Sequence, residues 1–180
     1  KFNQSWEKFK NPNGKYWVFL DNNILAYEDH ISILKEIIEQ KLIIDFNQAT
    51  DIRLVNEENA ELLAKIKWYT YYRFSFDWIF LDKMIIEKVK LLNNFGLSSY
   101  KMFCFILIGY NTTVEEDLYR VELCRELKIN PFVMPYDKFN KYQKSFARWC
   151  NHKAIFKSVK WEDYKKSNWN LVEGKNRKLI

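Results

Sequence analysis

Polar residues able to bind a small ligand follow five apolar or aromatic runs of the chain. They stand at Asp21-Asn22-Asn23, at Asn47-Gln48 with Asp51 and Arg53, at Arg73-Ser75-Asp77, at Gly109-Tyr110-Asn111-Thr112, and at Tyr136-Asp137-Lys138. Carboxylates and amides accept hydrogen bonds from amino and hydroxyl groups, and a guanidinium binds a carboxylate through two parallel bonds. Parallel strands joined by helices bring such residues to one mouth, so the pattern predicts a single ligand site.

The elements that must position these residues alternate between strand and helix patterns. We predict strands at Lys15–Leu20, Leu42–Phe46, Trp68–Phe76, Met102–Ile108 and Phe132–Met134. Helices are predicted from near Asp29, Asn56, Asp82, Thr112 or Thr113, and Tyr142. The apolar run at 102–108 is typical of a strand covered on both faces, and a short sixth strand is predicted at 154–159.

The spacing of the strand ends favours consecutive βα units. The ends at Asp21, Asn47, Ser75, Gly109 and Pro135 are 26, 28, 34 and 26 residues apart. We therefore predict an α/β fold, a partial TIM-like (β/α) barrel of five to six mostly parallel strands with helices outside. The predicted organisation is a lead-in at 1–14, the partial barrel at 15–160 and a basic tail at 161–180.

Composition excludes several classes of protein. The 180 residues include only four Gly, and neither a dinucleotide fingerprint nor a Walker loop is present. No apolar run is long enough to span a bilayer and Lys1 begins no signal peptide, so a cytoplasmic location without membrane contact is expected. Three widely spaced cysteines fit neither a disulfide framework nor a local metal site, and we expect buried, inert thiols at Cys104, Cys124 and Cys150.

Basic charge is concentrated at the end of the chain. Residues 150–180 hold eight Lys or Arg against three acids, a net of +5 out of the total of +6. Trp161, Tyr164 and Trp169 are interleaved with these charges. The pattern is typical of a solvated terminal segment, and contact with nucleic acid or an acidic partner is the alternative.

Five segments together resemble one enzyme superfamily. LDNN at 20–23, DFNQATDIRL at 45–54, YRFSFD at 72–77, ILIGYNTTVEEDLYRVELCREL at 106–127 and NPFVMPYD at 130–137 resemble radical S-adenosylmethionine (radical SAM) proteins, particularly those of phage and prophage genomes. The resemblance covers roughly residues 16–160. It implies a partial barrel, a CxxxCxxC loop holding a [4Fe-4S] cluster, and S-adenosylmethionine chelated to one iron of that cluster.

The resemblance also implies roles for particular residues. Acceptors for the amino group of the cofactor match Asp21, Asn22 and Asn23. Contacts to its ribose or carboxylate match Arg73, Ser75 and Asp77, with Arg73 suited to the carboxylate. The adenine is expected beside Gly109, Asn111 and Tyr136. Cofactor or substrate contacts are expected from Asn47, Gln48, Asp51 and Arg53.

The chain departs from the family at the cluster loop, because no CxxxCxxC is present. We therefore expect a fragment of a radical SAM enzyme that when intact abstracts hydrogen from an unknown substrate, with the fragment itself inactive and without the cluster. The alternative is a non-catalytic binding or assembly module that associates through an open barrel edge, with its basic tail on nucleic acid or an acidic partner. Equally open is a structural role in which Asp51, Arg53, Arg73 and Asp77 form ion pairs with one another.

Overall fold

The fold is an α/β arrangement of six short parallel strands and their connecting helices. A computed structural model of the chain describes residue 8 and residues 11–165. The strands are β1 (Trp17–Phe19), β2 (Ile43–Phe46), β3 (Lys67–Trp68), β4 (Tyr72–Ser75), β5 (Met102–Ile108) and β6 (Asn130–Pro135). The helices are α1 (His30–Glu39), α2 (Glu57–Lys65), α3 (Asp82–Asn94), α4 (Val114–Glu126), α5 (Lys141–Asn151) and α6 (Lys153–Ser158).

The strands form two three-stranded sheets, ordered β1-β2-β3 and β4-β5-β6. Every pairing in them is parallel, so all six strands point their carboxyl ends the same way. A single parallel bridge, Thr50 to Phe74, lies between the end of β2 and β4. The prediction of mostly parallel strands is confirmed. Neither sheet closes on itself.

The predicted third strand at 68–76 is wrong as one element, because it is divided between the two sheets. Its first part, β3, pairs with β2, and its second part, β4, pairs with β5. The bend between them is held by one side-chain bond and one backbone bond: Arg73 Nη2 donates to Thr70 Oγ1 at 2.9 Å, and the Thr50 N–H donates to the Arg73 carbonyl at 2.8 Å. Thr50 therefore lies beside β4, in the position that β2 would occupy if that strand were longer.

Two further strand predictions are corrected. Residues 154–159 are not a strand, because α6 occupies Lys153–Ser158, with the His152 ring accepting from the Ile155 N–H. The run at 102–108 is fully buried on one face and half-buried on the other, since its side chains alternate between these two states. The half-buried face carries Phe103 and Phe105, which pack on Phe132 of β6.

Helix ends follow the local sequence. Thr113 accepts from the Glu116 N–H at 3.2 Å while Glu116 accepts from the Thr113 N–H at 2.8 Å, a reciprocal cap that starts α4. Asn56 and Asn59 cap α2 in the same way. The second predicted cap, on Thr112, does not form, because that hydroxyl donates to Asp117 instead.

One contiguous core lies between the helices and the inner faces of the strands. It includes two aromatic residues of the predicted tail, Trp161 and Tyr164, of which Trp161 packs on Phe146 and Trp149. The tail residues Lys166, Trp169, Lys175, Arg177 and Lys178 lie outside the described residues. Across residues 11–165, no helix is both long and apolar enough to cross a bilayer.

Candidate functional site

A polar cleft of about 260 Å³ opens at the carboxyl edge of the strands. Three turns build it: the one after β1, the one after β2 and the one after β4. Its lining residues are Asn23, Ala49, Thr50, Asp51, Ile52, Arg53, Ser75, Asp77, Trp78 and Leu81. Parallel pairing explains the convergence, because it places all three turns at the same edge of the sheets. Five of the predicted site residues meet here: Asn23, Asp51, Arg53, Ser75 and Asp77.

Asn23 ties the first turn to the second. Its Oδ1 atom accepts from the Asp51 N–H at 3.1 Å, and its own N–H donates to Asp21 Oδ1 at 2.9 Å. Asp21 and Gln48 line a narrow depression beside the cleft, and Asn23 borders both. Asparagine suits this place because its amide accepts a structural bond through oxygen while the nitrogen remains a donor.

The Asp51–Arg53 pair forms one wall of the cleft. Arg53 Nε lies 2.8 Å from Asp51 Oδ1 and Arg53 Nη2 lies 2.6 Å from Asp51 Oδ2, a fork-to-fork ion pair. The hydrogen bond from Arg53 lowers the pKa of the Asp51 carboxyl, and partial burial opposes that shift. Both side chains remain accessible, with 25% of Asp51 and 59% of Arg53 exposed. The pair therefore presents a positive and a negative group to a ligand together.

Asp77 also lines the cleft. Its Oδ1 atom accepts from the Leu107 N–H at 3.0 Å, which joins the end of β4 to β5. Within the part of the chain that the structure describes, no Lys, Arg or His makes an ion pair with this carboxylate. Its negative charge is therefore available at the cleft.

A buried arginine holds Asp77 in place. Arg120 is fully buried and donates to the carbonyls of Phe76, Asp77 and Leu107 at 2.8, 3.0 and 3.0 Å. It also pairs with the Asp117 carboxylate at 2.6 Å. Burial raises the pKa of Asp117, against the opposing effects of the Thr112 hydroxyl and the Arg120 charge.

Sequence reasoning missed Arg120 and Asp117. Their spacing of three residues on one helix face was the available signal, since Val121 and Cys124 lie on the same buried side. Two opposite charges within an otherwise apolar stripe of a helix indicate that both side chains are buried and form an ion pair.

Arg73 lies elsewhere. Its guanidinium forms an ion pair with Asp45, and it donates to the Phe46 carbonyl at 3.0 Å as well as to Thr70. Asp45 is 9% exposed, so the pair is largely removed from water. The predicted carboxylate-binding group is thus engaged between the sheets, and the guanidinium that lines the cleft belongs to Arg53.

Gly109, Asn111 and Tyr136 lie at the ends of β5 and β6 and do not line the cleft. Gly109 has φ +74°, and a Cβ built there would lie 2.1 Å from Gln143 Nε2. Asn111 has φ +51°. The exposed rings of Tyr110 and Tyr136 are 4.8 Å apart. Of the other predicted residues, Asn22 and Asn47 are exposed and line neither cavity.

The cysteines are buried, as predicted, and free. Burial raises the pKa of the thiols of Cys104 and Cys150, which keeps them protonated. Among residues 11–165, no three His, Cys, Asp or Glu side chains are grouped to hold a metal ion. The described residues therefore do not fit an iron–sulfur cluster.

No family model, curated protein or solved structure matches the chain. Function is therefore inferred from the cleft itself. The cleft suits a ligand with hydroxyl or cationic groups, because it is lined by two carboxylates, the Asn23 amide and two hydroxyls. The Thr50 hydroxyl is bonded to Tyr72 and the Arg53 guanidinium is paired with Asp51.

Proposed function

We propose that this chain is the S-adenosylmethionine-binding portion of a radical SAM enzyme, and that its two sheets are consecutive parts of a partial (β/α) barrel. The observation that carries the proposal is the cleft, where residues from three turns meet at the carboxyl ends of parallel strands. In enzymes built from βα units, ligands bind at this end of the strands.

The barrel arrangement is supported by contacts between the sheets. Thr50 bridges to Phe74, which continues the parallel order from β2 to β4. Asp45 of β2 and Arg73 of β4 also form an ion pair between the sheets. These two contacts support the proposal that the sheets are neighbouring parts of one barrel.

The cleft residues suit the groups of S-adenosylmethionine. Its ribose hydroxyls and ammonium group are donors, for which Asp51 and Asp77 supply acceptors. The Asn23 amide nitrogen and the exposed side of the Arg53 guanidinium, which is paired with Asp51 through Nε and Nη2, supply donors for its carboxylate. A volume of about 260 Å³ lies just below the ~300–1,000 Å³ typical of small-molecule sites. The cleft therefore holds one part of the cofactor, and the Tyr110–Tyr136 pair offers an apolar surface for the adenine.

When bound in a radical SAM enzyme, the cofactor supplies reductive cleavage and hydrogen abstraction. The described residues of this chain bind and orient it, and Arg120 positions Asp77 for that task. Because the three buried cysteines do not fit a cluster, we expect cofactor binding without turnover from this polypeptide alone.

Isothermal titration calorimetry with S-adenosylmethionine tests the binding function. We expect saturable binding that Asp77→Asn weakens by about tenfold or more, because a charged acceptor is lost. The amide retains an oxygen for the Leu107 N–H, so the fold should be kept. Asp163→Asn, an exposed change outside the cleft, is the matched control. Absence of binding, or equal affinity in Asp77→Asn and wild type, refutes the proposal.

The gene provides an independent test of the enzymatic part. We expect the reading frame preceding Lys1 to encode a CxxxCxxC sequence within some tens of residues. A frame that lacks one removes radical chemistry from the proposal and leaves ligand binding to be judged by calorimetry.

A second candidate is an assembly module that associates through exposed apolar side chains near β1. Val18 and Leu20 are 49% and 74% exposed. Exposed apolar side chains of this kind can be buried against another chain. Analytical ultracentrifugation should then show association that is abolished in Val18→Lys and retained in the helix-surface control Val114→Lys.

A mobility shift assay at several salt concentrations tests nucleic-acid contact by the tail, since phosphate-driven binding weakens steeply with salt.

A further inference from the structure

The cleft is negatively charged within a positively charged protein. Its ionic lining residues are Asp51, Asp77 and Arg53, which sum to −1, whereas the whole chain carries +6. The overall field of the protein therefore disfavours cations, and any preference for a cationic ligand must come from the cleft itself.

The excess charge is located on Asp77. Arg53 is committed to Asp51 through the fork-to-fork pair, so these two charges cancel locally. The Asp77 carboxylate receives one neutral donor, the Leu107 N–H. The nearby Arg120 donates to the Asp77 backbone carbonyl and is matched by Asp117. A carboxylate in this setting favours a positively charged neighbour.

An aromatic residue lines the same cleft as that carboxylate. Trp78 lines the cleft and is 42% exposed, and it is stacked on Phe80 with ring centroids 6.1 Å apart and planes 21° apart. Indole is the most favourable of the side-chain faces for binding a cation.

We propose that the cleft selects a sulfonium ligand, whose positive centre lies between the Asp77 carboxylate and the Trp78 indole. This inference rests on the proposed function, because it identifies the group of S-adenosylmethionine that the cleft distinguishes. It assigns charge selectivity to Asp77 together with Trp78, a residue outside the five polar clusters.

Calorimetry with two ligands tests the inference. S-adenosylmethionine carries the sulfonium, and S-adenosylhomocysteine has the same adenosine and amino-acid groups on a neutral thioether. We expect wild type to bind the first about fivefold more tightly than the second. Trp78→Leu should lower this ratio at least about twofold, since the cation–π contribution is lost while Asp77 remains. Trp78→Phe, which keeps a ring, should give an intermediate ratio.

Phe139→Leu is the matched control, because Phe139 is 93% exposed and does not line the cleft. It should keep the wild-type ratio, and circular dichroism should show all three variants folded. Equal affinities for the two ligands, or an unchanged ratio in Trp78→Leu, overturn the inference and leave S-adenosylmethionine binding intact. Failure of wild type to bind either ligand refutes the proposed function and the inference with it.

Discussion

Replacing Arg120 with methionine should destabilise the protein more than any exposed charge substitution. The guanidinium is fully buried and donates to the carbonyls of Phe76, Asp77 and Leu107 and to the Asp117 carboxylate. Methionine has a similar length and no donor. Arg120→Met therefore leaves a buried carboxylate without its partner.

The expected loss follows from these contacts. Breaking a buried ion pair by removing one partner costs about 3–5 kcal/mol. The three carbonyls that lose their donor place the cost in the upper part of that range, about 4 kcal/mol or more. Small domains are stable by about 5–15 kcal/mol, so the variant should lose a large share of its free energy of unfolding.

The loss should depend on pH. Burial already raises the pKa of Asp117, and removal of the Arg120 charge raises it further in the folded variant. A carboxyl whose folded-state pKa lies above its unfolded-state value is destabilising at high pH, and this destabilisation disappears as the pH falls and the group is protonated. The stability deficit of Arg120→Met should therefore be larger at pH 7.5 than at pH 4.5.

Urea denaturation followed by tryptophan fluorescence measures this deficit at both pH values. Arg148→Met is the control, because Arg148 is exposed on α5 and its replacement should change the free energy of unfolding by less than about 0.5 kcal/mol. A deficit below about 1 kcal/mol for Arg120→Met, or an equal deficit at both pH values, would refute the structural role assigned to Arg120.

Three other predictions concern the backbone, an ion pair and the thiols. Gly109→Ala should lower the melting temperature more than Gly96→Ala. Both glycines have positive φ, but only at Gly109 would a Cβ collide with Gln143. Equal decreases in melting temperature would contradict this prediction. In NMR titrations the pKa of Asp51 should lie below 3.8 and should rise in Arg53→Gln. The stabilisation by this ion pair is therefore present at neutral pH and is lost on acidification through that pKa. An Asp51 pKa that is unchanged in Arg53→Gln would contradict the prediction. A thiol reagent should modify none of the cysteines in the native protein and all of them in denaturant, and fast native labelling would contradict the burial of Cys104, Cys124 and Cys150.

Several features of the fold were readable from sequence because local interactions determine them. Helix positions followed from apolar periodicity and caps such as Thr113 with Glu116, and the strands at 43–46 and 102–108 lie within or match the predicted runs. The strand prediction at 154–159 was wrong because a short apolar run fits a strand or a helix equally well. The cap from His152 favours the helix.

The composition of the candidate site was only partly predictable. The sequence placed polar residues after each strand, yet only Asn23, Asp51, Arg53, Ser75 and Asp77 meet in one cleft. Arg73 and Ser75 are two residues apart in β4, so both were expected on the same face and in the same site. Arg73 instead forms an ion pair with Asp45 of the neighbouring sheet. No local pattern indicates which opposite charge, 28 residues away, an arginine will meet.

The sequence by itself determined the order of strands and helices, the polar character of the strand ends and the burial of the cysteines, because these depend on residues close together in the chain. Tertiary structure alone decided that residues 68–76 divide between two sheets, that Arg120 joins the ends of β4 and β5, and that Trp78 lines the same cleft as Asn23 and Asp51. Each of these depends on contacts between distant segments, whose free energies are set only when the sheets and helices pack together.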